Sequence, residues 1–138
     1  MISWAIHRLD GISSPANAAY SASELSFQLK SSRAKCIFTC LSLLTTALKS
    51  AKIAGIPRDR IFLCPVPETS SKDSQVTPGV ETLEDLIEKG KLLPELEDQR
   101  WSEGQGKRQT AFICYSSGTS GLPVYYIQET RSVRANCG

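Results

Sequence analysis

The chain contains one histidine, His7, no CxxC pair, and no apolar run near membrane-spanning length. Each shortage removes a class of function. A lone histidine close to the start supplies neither a Ser-His-Asp nor a Cys-His arrangement, and His7 on an apolar helix is read as a structural or surface residue. One histidine and unpaired cysteine spacings exclude zinc sites of the C2H2 or double-CxxC kind. A membrane span needs about 20 apolar residues in a row, and none is found. The opening MISWAIHRLD reaches His7, Arg8 and Asp10 before a signal-peptide core can form. A formal charge of +2, without a basic stripe interleaved with aromatics, predicts no nucleic-acid partner. Five cysteines, Cys36, Cys40, Cys64, Cys114 and Cys137, make an odd set. Three of them lie in the apolar runs CIFTC and FLCPV, so they are expected to pack as buried free thiols in a reducing, cytoplasmic setting.

What the chain does contain is ordinary for one globular domain: 138 residues, 41% hydrophobic and 22% charged. Two periods alternate along it. Gly11 to Ser14 suits a short strand, and Ser21 with Glu24 has the spacing of a capping box. Ala22, Leu25 and Leu29 then share a helix face. Lys35 to Thr39 reads as a strand. Leu41, Leu44, Leu48 and Ala51 recur at helical spacing, with Gly55 and Pro57 as the stop. Arg60 to Val66 is a second apolar strand, closed by Pro65 and Pro67. The order strand, helix, strand, helix, strand predicts an α/β fold, a parallel sheet with flanking helices.

Residues 67–80 hold little to bury and read as a surface loop. Thr82 and Asp85 start another helix, Leu83, Leu86 and Ile87 give its apolar face, and Gly90 its end. Glu81, Glu84, Asp85 and Glu88 are taken as the solvated side of that helix, and Trp101 as packing back onto the body. Thr110 to Tyr115 is a further strand. It runs directly into Ser116, Ser117, Gly118, Thr119, Ser120 and Gly121. Six small residues at the carboxyl end of a strand suit an anion, because glycines admit unusual φ values and backbone N–H groups and hydroxyls can turn inward. The loop is not a Walker A motif, which requires G-x-x-x-x-G-K-[ST].

Tyr115 to Pro123, YSSGTSGLP, resembles the signature loop of the adenylate-forming enzymes: acyl-CoA synthetases, 4-coumarate-CoA ligase-like enzymes, luciferases and peptide-synthetase adenylation domains. Their motif runs roughly Y-[ST]-S-G-[ST]-[TS]-G-x-P-K-G. A second block upstream is similar to the same family, with Asn17, Tyr20, Glu24, Leu25, Gln28, Leu29, Ser32, Ala34 and Lys35 at matching positions. The nearest likeness is to the 4-coumarate-CoA ligase-like branch.

The resemblance implies a partial N-terminal domain of an adenylate-forming enzyme over residues 1–123, ending at the phosphate loop, with residues 124–138 as a divergent tail. It implies ATP and Mg²⁺ as the family's cofactors, acyl-adenylate formation followed by transfer to a thiol, and a phosphate site made by Ser116, Ser117, Gly118, Thr119, Ser120 and Gly121. Val124 stands where the family has lysine, and no histidine follows. Losing a charge-assisted lysine–phosphate bond of about 1.5–3 kcal/mol predicts ATP affinity weakened about 10- to 100-fold. The family's adenine and acyl pocket, magnesium-binding glutamate, ribose-binding aspartate and catalytic lysine all come later in its sequence. No catalytic or metal residue is therefore assigned, and a fragment without turnover is expected. An uncovered sheet edge predicts self-association or pairing with an intact relative. The ending Asn136-Cys137-Gly138 is not a peroxisomal tripeptide.

Overall fold

A computed structural model describes residues 2–65, 79–97, 100, 102–116 and 124–129. They belong to two compact units, one built from Met1–Asn17 with Leu96–Gly138 and the other from Ala18–Glu95.

The Ala18–Glu95 unit begins with α2 (Ala22–Ser31), preceded in the chain by α1 (Ile2–Arg8) of the other unit. Ser21 and Glu24 form the reciprocal capping box that their spacing predicts, the Ser21 side chain accepting from the Glu24 N–H and the Glu24 carboxylate accepting from the Ser21 N–H. The helix ends at Arg33, which takes φ 53°. There Ala34 N donates to Leu29 O at 2.9 Å and Arg33 N to Lys30 O at 3.1 Å, a Schellman closure.

β1 (Ile37–Thr39) follows, then a single 3-10 turn (Leu41–Leu43) that passes into α3 (Leu44–Ala54). Gly55 stops α3 with φ 77°, the left-handed conformation that a residue without Cβ adopts at no steric cost. β2 (Ile61–Leu63) and β3 (Glu81–Thr82) complete a three-stranded sheet of order β1-β2-β3. Both pairings are parallel, with Ile37 opposite Ile61 and Leu63 opposite Thr82. α4 (Leu83–Gly90) leaves β3 through a second capping box, Thr82 with Asp85.

The core of this unit is Leu29, Ile37, Leu44, Ala47, Ala51, Ile56, Ile61 and Val80, so it lies between α2, α3 and one face of the sheet. Ile61 is 1% exposed at its centre. Ser50 is also fully buried, its single hydroxyl proton directed to Thr46 O at 2.7 Å with Ala22 O a second acceptor at 3.1 Å, which satisfies its hydroxyl where the two helices meet. The other face of the sheet carries Phe38 and Phe62, half-buried, their rings 5.3 Å apart.

Two sequence expectations change here. Cys36, Cys40, Cys64 and Cys114 are free thiols, yet half-buried rather than buried, because three of them stand on or beside a sheet with helices packed on its other face. Burial still raises the Cys36 and Cys64 thiols above the ordinary range. Glu81 lies in β3 and not on the helix, where it pairs with Lys89 at 2.6 Å. Glu84, Asp85 and Glu88 are exposed, as a solvated helix face requires. Among the described residues no helix is long and apolar enough to cross a membrane.

Candidate functional site

In the other unit the strand that leads into the Ser/Gly loop is β4 (Thr110–Ser116). It is held from below by the start of the chain. α1 ends in a Schellman closure of its own: Asp10, at φ 56°, donates to His7 O, and Gly11 N donates to Ile6 O at 2.8 Å. The chain turns so tightly here that a Cβ on Gly11 would stand 2.7 Å from Ile6 Cγ2 and 3.0 Å from Ile6 O. Glycine is required by that approach.

The turn brings Ser13 alongside β4. Sequence reading places a strand at Gly11 to Ser14; the structure gives a single parallel bridge, Ser13 to Phe112. Ser13 N donates to Ala111 O and Ile113 N donates to Ser13 O, each at 2.9 Å. The Ser14 hydroxyl adds a bond to Ile113 O at 3.0 Å. His7 donates Nε2–H to the same Ala111 carbonyl at 2.9 Å, and its ring meets Phe112 edge-on at 4.8 Å. The only histidine of the sequence thus serves as a strand anchor. Arg8 caps the segment after the Leu92–Leu93 turn, donating to Leu96 O at 3.1 Å and Glu97 O at 2.7 Å.

β4 belongs to a two-stranded sheet within its own unit. It pairs antiparallel with β5 (Val124–Glu129), from Thr110 opposite Glu129 to Ser116 opposite Val124, with an irregularity between Thr110 and Phe112. The alternating VYYIQE supplies a partner strand that sequence reading left inside a tail. Ser116 and Val124 are therefore neighbours across the ladder, and residues 117–123 join them.

Of the predicted phosphate-site residues, Ser116 is placed at the carboxyl end of β4. Ser117, Gly118, Thr119, Ser120 and Gly121 lie outside the described residues, as does Trp101. Position 124, where the signature loop carries lysine, begins β5 directly beside Ser116. The backbone at position 124 is held by that pairing. The residues that anchor the strand, His7, Ser13 and Ser14, carry no motif that points to a site; they are recognisable only once β4 is placed against them.

A family profile described as AMP-binding enzyme matches residues 1–137, which includes β5 and the residues after it. An acyl-CoA ligase of Cordyceps militaris is 39% identical over 123 residues, covering 88% of this chain and 19% of the relative. An acyl-CoA ligase of Alternaria alternata is 41% identical over 136 residues, covering 98% of this chain and 23% of the relative. The chain spans about a fifth of the length of these curated relatives. Among solved structures, a natural red-emitting luciferase from Phrixothrix hirtus superposes with a TM-score of 0.68 at 23% identity, over 96% of this chain and 30% of that one. At that identity the likeness is one of fold.

Proposed function

Because this chain belongs to the AMP-binding enzyme family, we propose that its β4–loop–β5 hairpin is the phosphate-binding element of an ATP-dependent acyl-CoA ligase, held here in a form that grips nucleotide weakly. The observation that carries the reading is the pair Ser116–Val124. It fixes Ser116 at one end of SSGTSGLP and Val124 just beyond the other, and the reading assigns the hydroxyls of Ser116, Ser117, Thr119 and Ser120 and the peptide N–H groups of Gly118 and Gly121 to one anion. The role assigned to them is to hold the β- and γ-phosphates of ATP, with Thr119 as the chief hydroxyl donor.

Positioning and electrostatic stabilisation are most of what phosphate chemistry needs from a protein. Here the neutral donors supply the positioning, and Val124 withholds the cation. In the parent reaction ATP and a carboxylic acid give an acyl-adenylate and pyrophosphate, and a thiol then takes the acyl group; Mg²⁺, where bound, offsets phosphate charge. Among the described residues no group of three or more His, Cys, Asp or Glu is placed to hold that ion. We assign these 138 residues alone no turnover.

The test is pyrophosphate release from ATP by the purified chain with a panel of aryl and fatty acids, beside ATP binding. Binding without release fits the reading; acid-dependent release overturns the absence of turnover.

A second reading rests on β1, which lies at one edge of the three-stranded sheet. An edge strand carrying Phe38 invites another strand, so association of two copies, or of this chain with a full-length relative, is proposed through that edge. Sedimentation at increasing concentration tests it: a single monomeric species throughout rejects association of two copies.

A further inference from the structure

The parallel register of β1 and β2 sets two cysteines side by side. Thr39 is opposite Leu63, and the ladder continues one step, because Cys64 N donates to Thr39 O at 2.7 Å. Cys40 is itself extended, at φ −105° and ψ 167°. Cys40 and Cys64 are thus the next register pair. Side chains alternate across a strand, so both lie on the face of Phe38 and Phe62, whose rings already touch two positions earlier. Neighbouring strands run about 4.8 Å apart, inside the Cα separation of about 4.4–6.8 Å that a disulfide needs. Both thiols are free and half-buried, which leaves them open to a small reagent.

We propose that Cys40 and Cys64 are a thiol–disulfide exchange site that closes into an intramolecular disulfide across the carboxyl ends of β1 and β2. The oxidant is a low-molecular-weight disulfide of the glutathione class. Cys40, whose sulfur sits 3.1 Å from the Ser42 hydroxyl, is the first to attack. Its thiolate displaces one glutathione thiolate and leaves a mixed disulfide. The Cys64 thiolate then attacks the Cys40 sulfur and displaces the second. Two protein thiols are oxidised by two electrons, the small disulfide is reduced to two thiols, and the two protons from the cysteines end on the released glutathiones. Burial and the neighbouring Glu84 hold the Cys64 proton on, which suits the resolving role over the attacking one. Cys36 shares the face but stands two residues before Phe38, so the aromatic pair separates it from Cys64.

The experiment is incubation of the folded 138-residue chain with oxidised glutathione, alkylation of remaining thiols, and mass spectrometry of unreduced tryptic peptides. Cys36 and Cys40 fall on one tryptic peptide, so C36S, C40S and C64S variants are run beside the parent. The expected result is a cross-linked pair of peptides with loss of two hydrogens, retained in C36S and lost in C40S and C64S. Stable glutathione adducts on Cys40 and Cys64 without a cross-link, a cross-link that survives C40S, or an even spread over all cysteines would each overturn the assignment.

Discussion

His7 donates its Nε2–H to the carbonyl oxygen of Ala111 at 2.9 Å, across 104 positions of sequence. The same oxygen also accepts from Ser13 N, so both of its lone pairs are used. To make this bond the imidazole carries a proton on Nε2. His7→Ala removes one net hydrogen bond and the edge-on contact with Phe112, and is expected to destabilise the Met1–Asn17/Leu96–Gly138 unit by about 1–2 kcal/mol. Chemical denaturation of the variant beside the parent checks this; an unchanged midpoint rejects the anchoring role.

The tight turn at Gly11 gives a second expectation. Gly11→Ala places a methyl against Ile6 at 2.7 Å, with backbone oxygen at 3.0 Å behind it, so either α1 or the Ser13 bridge must shift. Hydrogen exchange at Ile113, whose N–H bonds Ser13 O, should accelerate in the variant. Protection equal to that of the parent would show that the bridge tolerates the added carbon.

Core and surface isoleucines should separate clearly. Ile61→Ala empties the centre of the Ala18–Glu95 core and is expected to cost about 2–5 kcal/mol. Ile53, on the solvent side of α3 and 50% exposed, should change stability by less than about 0.5 kcal/mol when made Ala. Equal losses at the two positions would contradict the placement of the core.

Acid sensitivity follows from the two capping boxes. Side-chain and backbone hydrogen bonds from Ser21 hold the Glu24 carboxyl below its ordinary range, and the Thr82 backbone and hydroxyl do the same for Asp85. A carboxyl depressed in the folded state stabilises it above its unfolded pKa, about 4 for these side chains. That contribution is lost as pH falls through the lower folded value. Stability should therefore decline below about pH 4, and the decline should be shallower in a Ser21→Ala, Thr82→Ala double variant. Identical pH profiles would remove the boxes as its source.

Both boxes were legible in the sequence because a capping box is a local pattern: the partners sit three residues apart and need nothing from the rest of the chain. Gly55 and the IFT and IFL strands were legible for the same reason. What escaped was non-local. VYYIQE alternates like a strand, but only its pairing with β4 makes it one, and it follows the point where the motif resemblance ends. Ser13 looks like any loop serine until β4 arrives beside it. The cysteines were expected to be buried because apolar runs usually are; here α2 and α3 cover the face of Ile37 and Ile61, and the cysteines on the alternate positions are half-buried. For the candidate site, the sequence supplied its residue types and their family likeness, while the structure supplied the pairing of its two ends, Ser116 and Val124.

That pairing makes the central claim directly measurable. The measurement is calorimetric titration of the purified chain with Mg²⁺-ATP beside Val124→Lys, which introduces a cation at the position paired with Ser116. Weak saturable binding by the parent that tightens about 10- to 100-fold in the variant is the expected result. No heat from either protein, while both still melt cooperatively, would contradict the assignment of Ser116 to Gly121 as a phosphate site.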